Sequence, residues 1–298
     1  MIFKKLCLED KTIIDKYISP YQFLSCEYSY TSLYIWKDAC DIQYAIFNGA
    51  LILKKKDFQG NYHFMQPLGY AREDLVDIIE ELKVYREENH MKYLFKDLEE
   101  SFIKEVNALL KGENEFYIEE DRNNFDYLYE AKKLMTFSGK KLHSKKNHYN
   151  TFIKKYNYEV VEISDEKVIN DVIIAAEKWY EEMEERDIKL YYELLAIKNV
   201  VKNMPLLNLN GIAVYVEGKL AAFSIGERLN EKLAVIHIEK GDKNINGIYS
   251  FIAKTLIDKC FNNAEIINRE QDLGIDGLRK SKMSYYPLKL EKKFIFSF

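Results

Sequence analysis

The chain is poor in the residues that break or staple a fold. It has 4 Pro and 12 Gly in 298 residues, too few for disordered or fibrous classes. Its four cysteines, Cys7, Cys26, Cys40 and Cys260, form no C-x-x-C pair, and no histidine lies at metal-ligand spacing from them. Scattered thiols of this kind behave as small core hydrophobes in a reducing compartment, so no metal site is expected. No apolar run approaches the roughly 18 residues of a membrane span. Met1 to Asp10 lacks a long apolar core and quickly turns acidic, which excludes an ordinary secretory signal. The expected location is the cytoplasm. There is no G-x-S-x-G elbow, no P-loop and no recognisable Cys–His pairing, so no covalent nucleophile is indicated. A net charge of −4 argues against a generally basic nucleic-acid coat, while leaving room for a local patch.

Hydrophobic residues make up 47% and aromatics 14%, enough to fill the cores of two domains of about 150 residues each. In the first half, Asp41 to Lys54 reads as a hairpin turning at Asn48-Gly49. His63 to Leu68 is a short strand, and Leu75, Ile78, Ile79, Leu82 and Tyr85 recur at helical spacing within Arg72 to Asn89. A strand at Met91 to Phe95, a helix at Leu98 to Lys111 and a strand at Glu115 to Ile118 follow. The second half repeats the order. Tyr158 to Ile163 is a strand, and Glu166 to Met183 and Tyr191 to Asn203 are helical. Gly211 to Val216, Lys219 to Arg228 and Leu233 to Glu239 form a meander. A helix from Gly247 to about Lys259, a strand at Glu265 to Asn268, a helix near Gly277 to Ser284 and a last strand at Leu288 to Phe296 complete it. A duplicated α/β domain with a mixed sheet explains this order economically. The expected domains are 1–130 and 131–298, the second entered by a basic linker.

That element order matches the acyltransferase fold called GNAT, twice in tandem. Two segments carry a closer resemblance. One is Asn124-Phe125-Asp126-Tyr127-Leu128-Tyr129 followed by Ser138-Gly139-Lys140-Lys141-Leu142-His143-Ser144-Lys145-Lys146-Asn147. The other is Asn268-Arg269-Glu270-Gln271-Asp272-Leu273-Gly274 followed by the run from Gly277 to Pro287. Together they resemble the phosphatidylglycerol lysyltransferase C-terminal domain family. Ser25-Cys26-Glu27-Tyr28-Ser29 with Leu33-Tyr34-Ile35-Trp36 is similar to the opening of its stand-alone soluble members.

Several groups carry chemistry. From Ala131 to Tyr158 there are eight lysines and no acidic residue, a local field suited to phosphates. Lys140, Lys141, His143, Lys145, Lys146 and Asn147 are its candidate phosphate or tRNA contacts. The plainer alternative is a solvated amphipathic helix with Leu142, Tyr149 and Phe152 facing inward. Gly247 stands where a CoA-binding GNAT places a glycine-rich turn at a helix N-terminus, but the full glycine pattern is missing. Asn268, Arg269, Glu270 and Asp272 end an apolar strand and combine a cation with carboxylates, suited to an amino group or a nucleophile. Arg279 and Lys282 form a further basic face. His237 and Glu239, alternating on one strand, are expected to face the same way, as catalytic groups or as structural ones. Trp179, Tyr180 and Tyr249 are candidate pocket walls.

The resemblance implies an acyltransferase that moves an aminoacyl group from aminoacyl-tRNA to an amine or hydroxyl acceptor, with Glu239, His237 and Asp272 as catalytic candidates. CoA-dependent N-acyl transfer and a non-catalytic tRNA- or metabolite-binding module are the alternatives. No tightly bound cofactor is expected; aminoacyl-tRNA or acyl-CoA would be a co-substrate. The acceptor would be a small molecule or a lipid headgroup. Oligomeric state is not legible.

Overall fold

The computed structural model describes residues 1–109 and 116–297. The chain forms two units, Met1–Phe125 with Glu291–Phe298, and Asp126–Leu290.

The first unit contains β1 (Lys4–Lys5), α1 (Lys11–Ile18), α2 (Tyr30–Trp36), β2 (Gln43–Phe47), β3 (Ala50–Lys56), β4 (Tyr62–Phe64), α3 (Leu75–Glu88), β5 (Phe95–Leu98), α4 (Glu100–Leu109) and β6 (Tyr117–Glu120). The Asn48-Gly49 turn closes β2 on β3 with both residues at positive φ, 47° and 74°, as a two-residue hairpin requires. Leu75, Ile78, Ile79 and Leu82 bury the inner stripe of α3 against Ile52, Phe64 and Phe95. Two expectations shift here. The strand expected at Met91 to Phe95 begins only at Phe95, because the end of α3 is extended by His90 at φ 52° and by the Met91 N–H bonding back to the Arg86 carbonyl. The expected helix end at Lys111 and strand start at Glu115 lie outside the described residues.

The second unit contains β7 (Asp126–Glu130), α5 (Ala131–Thr136), α6 (His143–Lys155), β8 (Tyr158–Glu162), α7 (Glu166–Glu181), α8 (Ile188–Lys202), α9 (Met204–Leu207), β9 (Asn210–Val216), β10 (Lys219–Arg228), β11 (Leu233–Gly241), α10 (Ile248–Cys260), β12 (Ile266–Asn268), α11 (Asp276–Met283) and all but the last residue of β13 (Lys289–Glu291). Its sheet runs β13-β7-β12-β11-β10-β9-β8. β11 and β12 pair in parallel, whereas β12 with β7, β11 with β10, β10 with β9 and β9 with β8 pair antiparallel. Along β10, Ala222 belongs to the core shared with α10, whereas its neighbour Phe223 stacks on Trp179 of α7. Strand alternation thus sends successive residues into helices on opposite faces.

The expected last strand, Leu288 to Phe296, is two strands in two sheets. β13 ends the second sheet, while β14 (Phe294–Ser297) inserts between β5 and β6 of the first. The buried Lys293 marks the crossing, its ammonium 3.3 Å from Glu27. β7, before residue 131, belongs to the second sheet, where Tyr129 opposes Ile267. The units therefore differ from a division at 130/131 at both ends.

Candidate active site

β11 and β12 pair only from Leu233 to Val235 and Ile266 to Asn268, after which β11 continues alone to Gly241. The register of β10 against β11 also shifts between Ile225 and Gly226, whose partners are Ile238 and Ile236, leaving His237 as the extra residue of a bulge. Side chains following β12 fill the opened region. Arg269 donates from Nη2 to Glu239 Oε1 at 2.8 Å, and Glu270 meets His237 Nδ1 at 2.8 Å.

The two contacts differ in kind. The His237 side chain is fully buried, and its Nε2 also meets Glu227 at 2.9 Å. Burial opposes its charge, but hydrogen bonds to Glu227 and Glu270 outweigh that and raise its pKa to about 9. An imidazolium clamped at both nitrogens is a strut. Glu239 and Arg269 are mostly buried, yet among the described residues Oε2 of the first and Nη1 of the second have no hydrogen-bond partner. Burial disfavours the guanidinium charge, and Glu239 more than restores it, so Arg269 stays firmly protonated. A pair with one unmet acceptor and one unmet donor is equipped for a third party.

Glu239 lines a cleft of about 710 Å³. Trp179 and Tyr180 from α7, Leu194 and Ile197 from α8, and Tyr249 from α10 supply its apolar walls. Its charged lining is mostly acidic. Glu182, Glu184, Glu185, Glu193, Glu239 and Asp242 face Lys240 and Lys243, and Lys240 is already paired with Glu193 at 2.6 Å.

The remaining polar residues of the Asn268 to Asp272 turn hold its shape. Glu270 and Leu273 sit at φ 55° and 53°, a strained region for residues with side chains. Buried Asn268 fixes the turn by accepting the Glu270 N–H at 2.7 Å and donating to Asp126 at 2.9 Å. Asp272 is fully buried and receives both Nε and Nη2 of Arg279 at 2.8 Å, Tyr127 Oη at 2.6 Å and the Gly274 N–H at 2.8 Å. Burial alone would raise its pKa; Arg279 and Tyr127 bonding to the anion depress it strongly instead. The Lys282 ammonium donates to the carbonyls of Arg269 and Gln271. Asp272, Arg279 and Lys282 thus brace Arg269 from behind.

Gly247 has a steric reason of its own. At φ +85° it caps α10, and a Cβ there would lie 2.2 Å from the His148 carbonyl oxygen of α6. The glycine lets α6 lie against the start of α10.

The basic stretch is sorted by that packing. Lys140, Lys141, His143, Lys146 and Asn147 are exposed. Leu142 and Phe152 are buried, and Tyr149 is half-buried against Phe251. Lys145 differs from its neighbours. It is partly buried with its Nζ 4.0 Å from the centre of the Tyr285 ring, which also carries the Arg269 guanidinium at 4.6 Å. The signal was present in the spacing, because 142, 145, 149 and 152 form one helical stripe. Among the described residues no cluster of three or more His, Cys, Asp or Glu is placed to hold a metal ion, and no helix is long and apolar enough to cross a membrane.

The family described as "Phosphatidylglycerol lysyltransferase, C-terminal" matches residues 19–297. The chain belongs to this family. Its fold is the tandem GNAT-like, acyltransferase-like arrangement, built on two mixed sheets of seven strands. A conserved protein of unknown function from Bacteroides thetaiotaomicron VPI-5482 is 28% identical with a TM-score of 0.89, each chain covered to 99%. L-PGS from Bacillus licheniformis is 15% identical with a TM-score of 0.65, over 97% of this chain and 92% of that one, a likeness of fold. An uncharacterised protein of Mycoplasmoides gallisepticum is 31% identical over 182 residues, 60% of this chain. The match spans 57% of that relative's length.

Proposed function

We propose that this member of the phosphatidylglycerol lysyltransferase C-terminal family transfers an aminoacyl group from aminoacyl-tRNA to an amine or hydroxyl acceptor. The observation that carries the reading is the Glu239–Arg269 pair, one acceptor and one donor unmet, beside a cleft with an acidic lining. An aminoacyl ester presents an ammonium group and a carbonyl oxygen. The ammonium suits Glu239 and the acidic rim, and the carbonyl oxygen suits Arg269, whose charge would stabilise the oxyanion as it forms. The apolar walls around Trp179 and Tyr180 would exclude water from an ester that hydrolyses readily. Lys140, Lys141 and Lys146 of the exposed basic face would hold the phosphates of the donor.

A CoA donor fits these features less well. Its phosphates would face carboxylates, and the start of α10 is packed against the His148 carbonyl. The test is binding of the purified protein to charged tRNA, uncharged tRNA and acetyl-CoA, followed by transfer to a panel of amines and lipids. The expected result is salt-sensitive binding that prefers charged tRNA, weakened at least tenfold by K140E/K141E/K146E. Binding of acetyl-CoA alone would overturn the reading.

A further inference from the structure

Aminoacyl transfer requires a proton to leave the attacking amine or hydroxyl, and the carboxylate and imidazole candidates are largely engaged elsewhere. His237 is bonded at both nitrogens, and Asp272 accepts from Arg279, Tyr127 and Gly274. Glu239 is tied to Arg269, and its second oxygen is the one suited to an amino group. One further basic atom lies near the pair, the Lys145 amine 4.0 Å from the centre of the Tyr285 ring on which Arg269 also rests. We propose that Lys145, whose amine shares the Tyr285 ring with Arg269, is a catalytic residue of the transferase, the base that takes the proton from the attacking group. The inference rests on the aminoacyl-transfer reading above.

The surroundings favour a neutral amine. Lys145 has no carboxylate within ion-pair distance among the described residues, although it stands partly buried in an acidic protein. Burial works against its ammonium form, Arg269 adds to that, and Glu239 offsets only part, so its pKa lies below the ordinary lysine value. The groups facing it are few. Arg269 follows β12, and Glu239 lies on β11 with its charge engaged by Arg269. Tyr285 follows α11, its hydroxyl held protonated chiefly by burial. The Lys282 ammonium of α11 is turned onto backbone carbonyls. On α6 itself, Lys146 and His148 are exposed, as is Lys141 just before it.

The step balances without a further reactant. The acceptor's nitrogen or oxygen attacks the ester carbonyl as Lys145 Nζ takes its proton. The new C–N or C–O bond forms, the ester C–O bond to the ribose breaks, and the lysine returns the proton to the departing ribose oxygen.

Two measurements test this. The first needs no activity: trace labelling of the whole protein with acetic anhydride across pH 6 to 11, read by mass spectrometry lysine by lysine. Lys145 should reach half-maximal labelling at a lower pH than exposed Lys146; the same or a higher pH overturns the proposal even if no transfer is ever observed. The second uses K145R and K145M in the transfer assay. Arginine keeps the charge but cannot act as a base near neutral pH. Both variants should lose about 100-fold or more in kcat, K145R while binding charged tRNA within about twofold of the parent. A K145R enzyme with parental kcat and pH profile would make Lys145 a charge contact and overturn the proposal. Should no acceptor support transfer in the parent, the aminoacyl reading fails separately and the labelling result still decides the state of the amine.

Discussion

At the scale of single residues, the charges of the second unit divide into struts and working groups according to what they already hold. His237 is the clearest strut, and its stability contribution has a definite sign. Its folded pKa of about 9 exceeds the ordinary value of 6.5, so the protonated form is favoured by folding. The contribution is complete below about pH 6.5 and is lost as pH rises through 9. The shift corresponds to roughly 3 kcal/mol. Urea unfolding midpoints of the parent should therefore fall between pH 6.5 and 9.5 by more than those of H237Q, measured side by side. Equal slopes would mean that the imidazole is not charged in the folded protein. E227Q and E270Q should each remove part of the difference, because each carboxylate supports the same proton. Arg269 and Glu239 share one hydrogen bond and, among the described residues, each keeps an unmet atom, which is why they are placed with the chemistry. R269K would keep the charge but lose the forked donor, so transfer should fall about 10- to 100-fold in kcat with the fold intact by circular dichroism.

At the scale of elements, what the sequence reveals depends on how local the cause is. The meander of the second unit and its helices are legible because turn residues and apolar spacing act within a few positions. Residues 1–40 give weaker patterns, so α1 and α2 do not stand out in them. Glu239 and Arg269 can each be named as candidates, but their pairing depends on where β11 and β12 part, which is a property of the sheet. The exposed lysines of α6 and the partly buried Lys145 look alike by composition; only the stripe Leu142, Lys145, Tyr149, Phe152 separates them. Gly247 illustrates the same limit: a weak phosphate-loop signal in sequence, a helix contact in space. Gly247→Ala is predicted to destabilise the protein by about 2 kcal/mol or more, since it adds a left-handed strain to a Cβ 2.2 Å from a backbone oxygen. Gly139→Ala shares the positive φ of 88° but has open space around the Cβ, so it should cost about 1 kcal/mol. Thermal unfolding of the two variants separates the steric part from the conformational part.

At the scale of the whole molecule, the chain order and the sheet order disagree, and this gives the domain boundary a testable position. A division between 130 and 131 leaves β7 with the first unit. Yet β7 lies between β13 and β12 in the second sheet, with Leu128, Tyr129 and Glu130 opposing Asn268, Ile267 and Ile266. Its side chains belong to the second unit as firmly as its backbone does. Tyr127 bonds Asp272, Asp126 bonds Asn268, and Tyr127 and Tyr129 are part of the core with Phe251 and Ile267. Without β7, Asn268 and Asp272 would lose buried partners and one edge of β12 would be unpaired, a combined loss of several kcal/mol against a typical stability of about 5–15 kcal/mol. A fragment of residues 126–290 should therefore unfold cooperatively in urea, while residues 131–290 should show no cooperative transition and should bind a dye that reports exposed apolar surface. A cooperative transition for the shorter fragment would mean that β12 needs no partner on that side. Failure of the longer fragment, with the full chain cooperative, would mean instead that the second sheet depends on the first unit for its stability, and that the two units fold as one.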